Sequence, residues 1–351
     1  MNLAATLLMT TAFALSCSTA TSQPNSTNTQ SRDTTPNDPS HRVTEHALVL
    51  HDSTRDKDLH IRIVHALNAA TNTAVPTIIF SHGAGGSGEN YDPLAQFWAT
   101  HGYIVILPTH SDSLITPTDP ITDRAQSRTL RNDIRQRLKD RKNRLNGFDF
   151  SDWANRPRDI SFIIDQLDSI EQQIPSIQHR IDHSRLGVGG HSFGAFTAQL
   201  IAGTDPLGVE DFHDPRAICT LLISPQGIGG LLTNSSWDNF QGPALTITGD
   251  NDQGRNGEPA VWRRDAFDHS PPNTHTLLWI NDAYHNFGGI SGTVLPLPDQ
   301  GPENPIHVQL VQNSTLSFWD HHLKHQSRDI AEFANLLESQ IDSSTANVEH
   351  N

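Results

Sequence analysis

The sequence has few cysteines, little positive charge and no apolar run of membrane-spanning length at its start, and each shortage excludes a class of protein. Cys17 and Cys219 are the only cysteines among the 351 residues, which excludes a disulfide framework. The formal net charge is −15, which makes nucleic acid and bare anionic membrane poor candidate partners, because phosphate repels an acidic surface; residues 124–144, rich in Arg and Lys, are a local exception. The apolar stretch at residues 3–15 is too short to cross a bilayer.

The first forty residues have the composition of a leader and a linker. We predict that residues 1–20 are a removable export signal, so that the protein is periplasmic, extracellular or anchored in the cell envelope. Cys17 follows Ala14-Leu15-Ser16, which resembles a bacterial lipoprotein cleavage site and makes Cys17 a candidate membrane tether. Residues 21–40 are rich in Ser, Thr, Asn, Gln and Pro, and we predict a disordered linker there.

Residues 41–326 alternate apolar strands with helical segments, which predicts one catalytic domain with a three-layer α/β/α sandwich and a mostly parallel sheet. The first two strands are expected to form an antiparallel hairpin at the sheet edge. Residues 327–351 are polar and acidic with one amphipathic helical stretch, and they are predicted to be a tail outside the domain, without an assigned function. Strands are predicted at residues 47–50, 59–67, 77–81, 104–108, 185–189, 220–224, 245–248 and 276–280, and helices at 91–100, 158–174, 193–202, 259–268 and 305–323.

Two stretches interrupt this alternation and are candidates to roof a pocket. The first, at about residues 111–155, is predicted to be a cap-like insertion whose basic part is typical of a solvated, ion-paired helix face. The alternative is a lid that grips anionic groups through Arg131, Arg135 and Lys142. The second covers residues 227–241. Trp153, Trp237 and Phe193 are candidate walls, and no substrate-binding residue is assigned.

The segment Gly190-His191-Ser192-Phe193-Gly194 has the pattern G-x-S-x-G and follows an apolar run. A serine in this pattern sits on a tight strand-to-helix turn that exposes its hydroxyl. Because a serine hydroxyl is a weak nucleophile, it needs a base and an acid that orients the base. Ser192 is therefore a candidate nucleophile whose partners should follow later strands.

An acid and a histidine follow the next apolar strands in the expected order. Asp250 and Asp252 lie just after the strand at 245–248, and Asp282 and His285 follow the strand at 276–280. Nucleophile, acid and base in this chain order indicate three loops at one sheet edge. We predict Ser192, Asp252 and His285 as the triad, with Asp250 as the second candidate acid and Asp282 as the third.

The glycine-rich loop Ser81-His82-Gly83-Ala84-Gly85-Gly86-Ser87-Gly88 directly follows a strand and precedes the candidate nucleophile. No Lys-Ser/Thr follows it, so a phosphate-cradling loop is disfavoured. We predict that the N–H groups of Ala84 and Phe193 form an oxyanion hole. His82 is expected to order the loop through hydrogen bonds instead of acting as a base.

With these motifs the chain resembles the α/β-hydrolase superfamily, and within it the dienelactone-hydrolase-like and platelet-activating-factor acetylhydrolase-like serine esterases. The resemblance covers residues 75–324 and implies a Ser-Asp-His ester hydrolase without cofactor or metal. True dienelactone hydrolases use a cysteine where this chain has Ser192, so dienelactone itself is disfavoured as the substrate. The matching pieces are Ile79-Phe80-Ser81-His82-Gly83, His101-Gly102-Tyr103-Ile104-Val105, Arg156-Pro157-Arg158-Asp159-Ile160, Gly190-His191-Ser192-Phe193-Gly194-Ala195, Ser224-Pro225-Gln226-Gly227 and Phe318-Trp319-Asp320.

Three functions remain open from the sequence. The first is an exported serine hydrolase that cleaves small-molecule or lipid carboxylic esters through an acyl-enzyme. The second uses the same triad on another substrate, such as a phospholipid, polyester, thioester or amide. The third is a non-catalytic binding module, which a missing triad residue would indicate, and none is missing.

Overall fold

The computed structural model describes residues 42–67, 73–114, 153–292 and 301–351, together with the backbone of 28–30. The described residues do not include the predicted export signal with Cys17. They also do not include residues 115–152, which contain the basic part of the predicted insertion. Within the predicted linker, residues 28–30 form a short strand, and the rest of the linker lies outside the described residues. In the described part of the chain, no helix combines the length and the apolar character that crossing a membrane requires.

Ten strands form one sheet in the order β1-β2-β3-β5-β4-β6-β7-β8-β9-β10. The strands are β1 (Asn28–Gln30), β2 (Val43–Asp52), β3 (Lys57–Ala66), β4 (Val75–Ser81), β5 (Ile104–Thr109), β6 (Ile181–His191), β7 (Ala217–Ile223), β8 (Ala244–Asn251), β9 (His275–Tyr284) and β10 (Ala346–His350). The helices are α1 (Asp92–Thr100), α2 (Asn155–Asp165), α3 (Leu167–Gln173), α4 (Phe193–Ile201), α5 (Asp265–His269), α6 (Pro305–Trp319) and α7 (Ile330–Gln340).

The sheet is mostly parallel, as predicted. All neighbouring pairs from β5 through β4, β6, β7 and β8 to β9 are parallel. The hairpin of β2 and β3 is antiparallel, as expected, and β3 joins the parallel strands by antiparallel pairing with β5. The hairpin is not at the sheet edge, because β1 pairs with the outer side of β2.

Apolar side chains on both faces of the sheet explain the three layers. Along β4, Ile78 and Phe80 pack with α1, α6 and α7, whereas Ile79 packs on the other face with α2, α3 and α4. Successive side chains of a strand point to opposite faces, so a continuous apolar run predicts helices on both sides. The predicted α/β/α sandwich is confirmed. Cys219 of β7 is buried in this core, as expected, and burial raises the pKa of its thiol.

The prediction that residues 327–351 are a tail outside the domain is wrong. In α7, Phe333 and Leu337 are fully buried in the core, and β10 pairs antiparallel with β9 as the last strand of the sheet. The amphipathic stretch was recognised, and it corresponds to α7, but its apolar face packs on the core; β10 was not recognised, because most of its side chains face solvent. Only one stripe of a helix and alternate residues of an edge strand need to be apolar.

Helix boundaries depart from the prediction in three places. The helix predicted at 158–174 begins earlier, at Asn155. Pro157 is tolerated there because it lies in the first turn, where an N–H would have no partner within the helix. The predicted helix also divides into α2 and α3 around Gln166. The helix predicted at 259–268 is a 3₁₀ turn, Ala260–Arg264, followed by α5. The helix predicted at 305–323 is α6, which continues as a π-helical turn, Asp320–Lys324.

The carboxyl ends of the parallel strands bring distant parts of the sequence to one edge of the sheet. Ligand and catalytic sites of open parallel sheets form at this edge, because the connecting loops converge there. The residue that directly follows the end of each of five strands lies at this edge. These residues are His82 after β4, Ser192 after β6, Ser224 after β7, Asp252 after β8 and His285 after β9.

Candidate active site

Ser192 lies on a strained turn between β6 and α4. Its φ of 57° and ψ of −118° are unfavourable for a residue with a Cβ. Two backbone hydrogen bonds hold it there: its N–H donates to the carbonyl of Ile223 over 2.9 Å, and its carbonyl accepts from the N–H of Phe196 over 3.0 Å. The turn is therefore anchored both to β7 and to the first turn of α4.

The two glycines of the motif are required by close backbone contacts. A Cβ on Gly190 would lie 2.2 Å from the carbonyl carbon of Gly194. A Cβ on Gly194 would lie 1.9 Å from the carbonyl oxygen of Ser81 at the end of β4. Both distances are far below van der Waals contact, so no other residue fits at either position. The second contact also places the turn directly against the start of the glycine-rich loop.

The structure brings Ser192, His285 and Asp252 into one hydrogen-bonded chain. Nε2 of His285 lies 3.0 Å from Oγ of Ser192, and Nδ1 of His285 lies 2.7 Å from Oδ1 of Asp252. A carboxylate only accepts hydrogen bonds, so Nδ1 of His285 carries the proton. Nε2 of His285 then presents a lone pair to the hydroxyl of Ser192, which donates to it. This is the tautomer that a general base needs.

Asp252 is fully buried and ionised. Burial by itself would raise the pKa of Asp252, but Arg263, His285 and the hydrogen bonds it accepts outweigh burial and lower the pKa to about 2. Nε of Arg263 lies 3.4 Å from Oδ1 of Asp252, and the hydroxyl of Thr248 donates to Oδ2 over 3.0 Å. A carboxylate held in this way keeps its charge and its orientation toward His285.

The other two candidate acids lie away from His285. Asp250 is exposed, and its carboxylate accepts from Nε1 of Trp279 over 2.7 Å and from the N–H of Asp282 over 2.8 Å. The side chain of Asp282 is exposed as well. The strand end at β8 therefore presents two aspartates, and only Asp252 reaches His285.

Ser224, which the sequence analysis gave only as part of a matching motif and without a role, contacts both Asp252 and His285. Its hydroxyl donates to Oδ1 of Asp252 over 2.9 Å and lies 2.9 Å from Nδ1 of His285. It is fully buried, with a φ of 55° directly after β7. The available signal was its place at the end of a predicted parallel strand, at the edge where the predicted site residues were expected.

Replacing Ser224 with alanine is expected to lower kcat by about 10- to 100-fold with little change in KM. The reason is that Asp252 loses a hydrogen bond to its charged form, which is worth about 1.5–3 kcal/mol. Steady-state kinetics beside Ser224→Thr, which keeps the hydroxyl, would test this. A kcat of the alanine variant equal to that of the unaltered protein would show that the contact is only structural.

Three amides of the glycine-rich loop after β4, those of Gly83, Gly85 and Gly86, donate hydrogen bonds. The N–H of Gly83 donates to the hydroxyl of Tyr91 and that of Gly85 to Oδ2 of Asp112, each over 3.0 Å. The N–H of Gly86 donates to the carbonyl of Gly83. Among the described residues, no hydrogen-bond acceptor meets the N–H of Ala84. Ala84 is half-buried, so its amide is available to a bound group.

Phe193, the second predicted oxyanion donor, is the first residue of α4. Its N–H therefore stands at the helix N-terminus, where the peptide dipoles favour negative charge. The loop that carries Ala84 begins against Gly194, next to Phe193. The two predicted donors thus come from segments that lie against each other.

His82 orders the loop, as the sequence analysis expected. Its Nε2 accepts from the N–H of His110 over 3.0 Å, so its Nδ1 carries the proton and donates to the carbonyl of Gly83 over 2.7 Å. Burial first, and then Arg156, lower the pKa of His82 well below the usual value. With both nitrogens engaged and the ring neutral, His82 has no nitrogen available to act as a base.

Arg156 supports the same loop from beneath. Its Nη1 donates to the carbonyl of His82 over 2.7 Å, and its Nη2 donates to Oδ2 of Asp112 over 2.9 Å. The guanidinium carbon lies 4.5 Å from the ring centroid of Phe193. The sequence identified Arg156 only as part of a matching motif, because its partners lie 44 and more residues away in the chain.

The predicted pocket walls are part of the core instead. Trp237 is fully buried and its Nε1 donates to Oε1 of Gln199 over 3.2 Å, so the prediction that it lines a pocket is wrong. Trp153 packs edge-on against Phe196 and Phe212 and is 8% exposed. Phe193 is 5% exposed beneath Arg156. Burying a large aromatic side chain in the core removes more apolar surface from water than placing it in the wall of a solvent-filled pocket, and so stabilises the fold more.

Metal-ligating side chains gather away from Ser192. Among the described residues, one such group consists of Asp168, Glu171 and His183, near the amino-terminal end of β6. Glu171 already accepts from the backbone N–H groups of Arg180 and Ile181 through Oε1. This group lies at the end of β6 opposite Ser192 and has no part in the arrangement described above.

Comparison with known proteins agrees with this architecture. Residues 78–330 match the model of the Alpha/beta hydrolase family, which is more than two thirds of the chain. A Klebsiella pneumoniae protein assigned as a dienelactone hydrolase has a similar fold, with 13% identity and a TM-score of 0.50 over 79% of this chain and 98% of that one. No protein with curated function matches the sequence. From the family match, the sheet topology and the turn at Ser192, we conclude that the chain is a hydrolase that belongs to the alpha/beta hydrolase family.

Proposed function

We propose that this protein is a serine esterase that cleaves carboxylic esters through an acyl-enzyme intermediate. The observation that carries the proposal is the chain of hydrogen bonds from Ser192 through His285 to Asp252, with distances of 3.0 and 2.7 Å. In the family and fold to which the chain belongs, a serine on this turn attacks the carbonyl carbon of the substrate. The proposal adds the residues and the substrate class.

In the first half of the reaction, His285 takes the proton of Ser192 through Nε2 while Oγ attacks the ester carbonyl. A tetrahedral intermediate forms, and its oxyanion accepts hydrogen bonds from the N–H groups of Ala84 and Phe193. Asp252 stabilises the imidazolium of His285 without taking its proton. The intermediate then expels the alcohol, which leaves with the proton from His285, and the acyl group stays on Ser192.

In the second half, water replaces the alcohol. His285 removes a proton from water, the hydroxide attacks the acyl carbonyl, and the same two N–H groups bind the second oxyanion. Collapse of this intermediate releases the carboxylic acid and returns the proton to Ser192. His285 has 25% of its side chain exposed, so water reaches it without any rearrangement of the described residues.

Among the residues that the structure describes, the charges around the site favour a neutral acyl group. The two buried arginines that support it both have anionic or carbonyl partners: Arg156 pairs with Asp112, and Arg263 contacts Asp252 and the carbonyls of Ser224 and Pro225. Their charge is already neutralised, so neither arginine offers a free cation to a substrate carboxylate. This supports a simple ester in preference to an anionic lactone.

A panel of p-nitrophenyl esters from acetyl to palmitoyl would test the proposal, with Ser192→Ala as the control. We expect the unaltered protein to cleave at least the short esters and the variant to cleave none. The acyl length with the highest kcat/KM would show how long an acyl chain the pocket holds, and would separate a small-ester hydrolase from a lipase or polyester hydrolase. Cleavage of matched thioester or anilide substrates in preference to every ester would overturn the ester assignment.

We also propose that the protein is exported, with residues 1–20 as the signal and Cys17 as a candidate lipid anchor. Fractionation of expressing cells would test this. Protein in the envelope or the medium that lacks the first residues supports export, and a Cys17→Ser variant that shifts from the membrane to the soluble fraction supports the anchor. Full-length protein confined to the cytoplasm would contradict both.

A further inference from the structure

Tyr91 and His191 form a buried hydrogen-bonded bridge between the glycine-rich loop and the loop that carries His285. The N–H of Gly83 donates to the hydroxyl of Tyr91 over 3.0 Å, and that hydroxyl lies 2.9 Å from Nδ1 of His191. At the other end, Nε2 of His191 lies 2.8 Å from the carbonyl oxygen of His285. None of these three contacts belongs to a strand ladder or a helix.

The direction of every bond in the bridge follows from its ends. The carbonyl of His285 only accepts, so Nε2 of His191 carries the proton and Nδ1 of His191 is an acceptor. The hydroxyl of Tyr91 therefore donates to Nδ1 and uses its oxygen to accept from Gly83. The hydrogen bonds run in one direction from Gly83 through Tyr91 and His191 to His285, and no donor or acceptor in the bridge is left over.

The surroundings hold the bridge in this single arrangement. Tyr91 and His191 are each 3% exposed, and the ring of His191 packs 4.8 Å from the ring of His285. Burial, and then the neighbouring His285, lower the pKa of His191 to about 3, so its ring stays neutral wherever the protein is folded near neutral pH. The backbone of Tyr91 has a φ of 69°, and its N–H donates to the carbonyl of Ser291.

The bridge joins the two segments whose relative position matters most for the proposed reaction. Gly83 adjoins Ala84, whose N–H is the proposed oxyanion donor, and the accepting carbonyl belongs to His285 itself. His191 immediately precedes Ser192 in the turn. One set of hydrogen bonds therefore links the oxyanion donor, the nucleophile segment and the base segment, which come from three different strand ends.

We propose that Tyr91 and His191 are positioning residues that fix the oxyanion loop relative to the base during catalysis. The inference rests on the proposed function, because it assumes that Ser192 is the nucleophile. Neither residue touches the substrate or transfers a proton. Their contribution is to keep the N–H of Ala84 at hydrogen-bond distance from the developing oxyanion, where a displacement of a fraction of an ångström weakens the contact.

Tyr91→Phe tests the bridge, and Tyr103→Phe is its matched control. Tyr103 is also buried, at 1% exposure, and its hydroxyl donates to Oδ1 of Asp320 over 2.7 Å near the opposite edge of the sheet. Tyr91→Phe removes a hydroxyl that makes two hydrogen bonds and Tyr103→Phe removes one that donates to Asp320, and both variants leave the ring in place. We expect kcat to fall about tenfold or more in Tyr91→Phe with KM within about threefold, and to stay unchanged in Tyr103→Phe.

A second readout does not depend on the ester assignment. A fluorophosphonate probe reacts with an activated serine: the Oγ–P bond forms, the P–F bond breaks, fluoride leaves and the serine proton passes to His285. The phosphoryl oxygen uses the same oxyanion donors. We expect the second-order rate constant for labelling of Ser192 to fall about tenfold in Tyr91→Phe and to stay at the wild-type value in Tyr103→Phe.

His191→Asn cuts the bridge at its other end and completes a double-mutant cycle. The asparagine Oδ1 can still accept from Tyr91, but no group replaces the Nε2 donor to the carbonyl of His285. If the bridge acts as one unit, the double variant is no slower than the slower single variant. Losses that multiply would show two independent contacts and overturn the bridge.

The outcomes separate the inference from the proposed function. If Ser192→Ala is inactive while Tyr91→Phe has wild-type kcat and labelling rate, the bridge is wrong and the esterase proposal stands. Equal losses of kcat and labelling rate in Tyr91→Phe and Tyr103→Phe would show that the effect is general destabilisation. That result would also contradict the positioning role of Tyr91 and His191. A wild-type protein that neither cleaves an ester nor labels at Ser192 overturns both.

Discussion

Replacing Ser192 with alanine is expected to lower kcat by about 10⁶-fold and to leave the free energy of unfolding almost unchanged. The loss is large because Oγ of Ser192 forms the bond to the substrate in the proposed reaction, and no other described hydroxyl is hydrogen-bonded to Nε2 of His285. Stability is retained because alanine keeps the Cβ and the backbone hydrogen bonds to Ile223 and Phe196. The strained backbone conformation, with a φ of 57°, costs the same free energy with serine or alanine at this position.

The measurement is burst and steady-state kinetics on the best ester of the panel, with thermal unfolding of each variant. Ser184→Ala is the control, because Ser184 is an exposed serine near the other end of the same strand, where its hydroxyl donates to Asp182. We expect wild-type kcat in Ser184→Ala. Residual activity above about 1% in Ser192→Ala would contradict the assignment of the nucleophile.

Replacing Asp252 with asparagine is expected to lower kcat by about 10⁴-fold, the second largest effect. An asparagine amide can donate to Nδ1 of His285, which moves the imidazole proton to Nε2. Nε2 can then no longer accept the proton of Ser192. The variant also leaves the charge of Arg263 without its carboxylate partner in a buried place, so we expect it to lose a few kcal/mol of unfolding free energy.

Asp250→Asn is the matched control, since Asp250 lies two residues earlier at the same strand end and is exposed. Its carboxylate contacts Trp279 and the N–H of Asp282 instead of His285, so we expect kcat within about threefold of wild type. Kinetics are measured at a temperature where both variants are folded by circular dichroism. A larger loss in Asp250→Asn than in Asp252→Asn would reverse the assignment of the acid.

The strands of the sheet core were predictable because each is a local signal. Runs such as Thr-Ile-Ile-Phe at 77–80 are apolar without alternation, which fits strands covered on both faces. The terminal elements were not predictable in the same way. In α7 and β10 only some positions face the core, so the sequence of residues 327–351 reads as polar although Phe333 and Leu337 are buried there.

The candidate site divides along the same line. Ser192 and its two glycines form one contiguous motif, and His285 follows an apolar strand, so both could be chosen from local sequence. The choice between Asp250 and Asp252 could not be settled in that way, since two aspartates two residues apart follow the same strand. The structure settles their geometry: Asp252 points into the interior against His285, and Asp250 points outward to Trp279.

The sequence by itself determined the fold class, the turn at Ser192 and the chain order of the candidate triad, because these depend on apolar periodicity and on residues that are neighbours in the chain. Only the tertiary structure showed that Asp252, and not Asp250, meets His285, and that Ser224, Arg156, Tyr91 and His191 form hydrogen bonds around these residues. The contacts of these four residues join strand ends that lie tens of residues apart. Hydrogen bonds over such separations leave no periodic pattern in a sequence, since they depend only on which loops the sheet brings together.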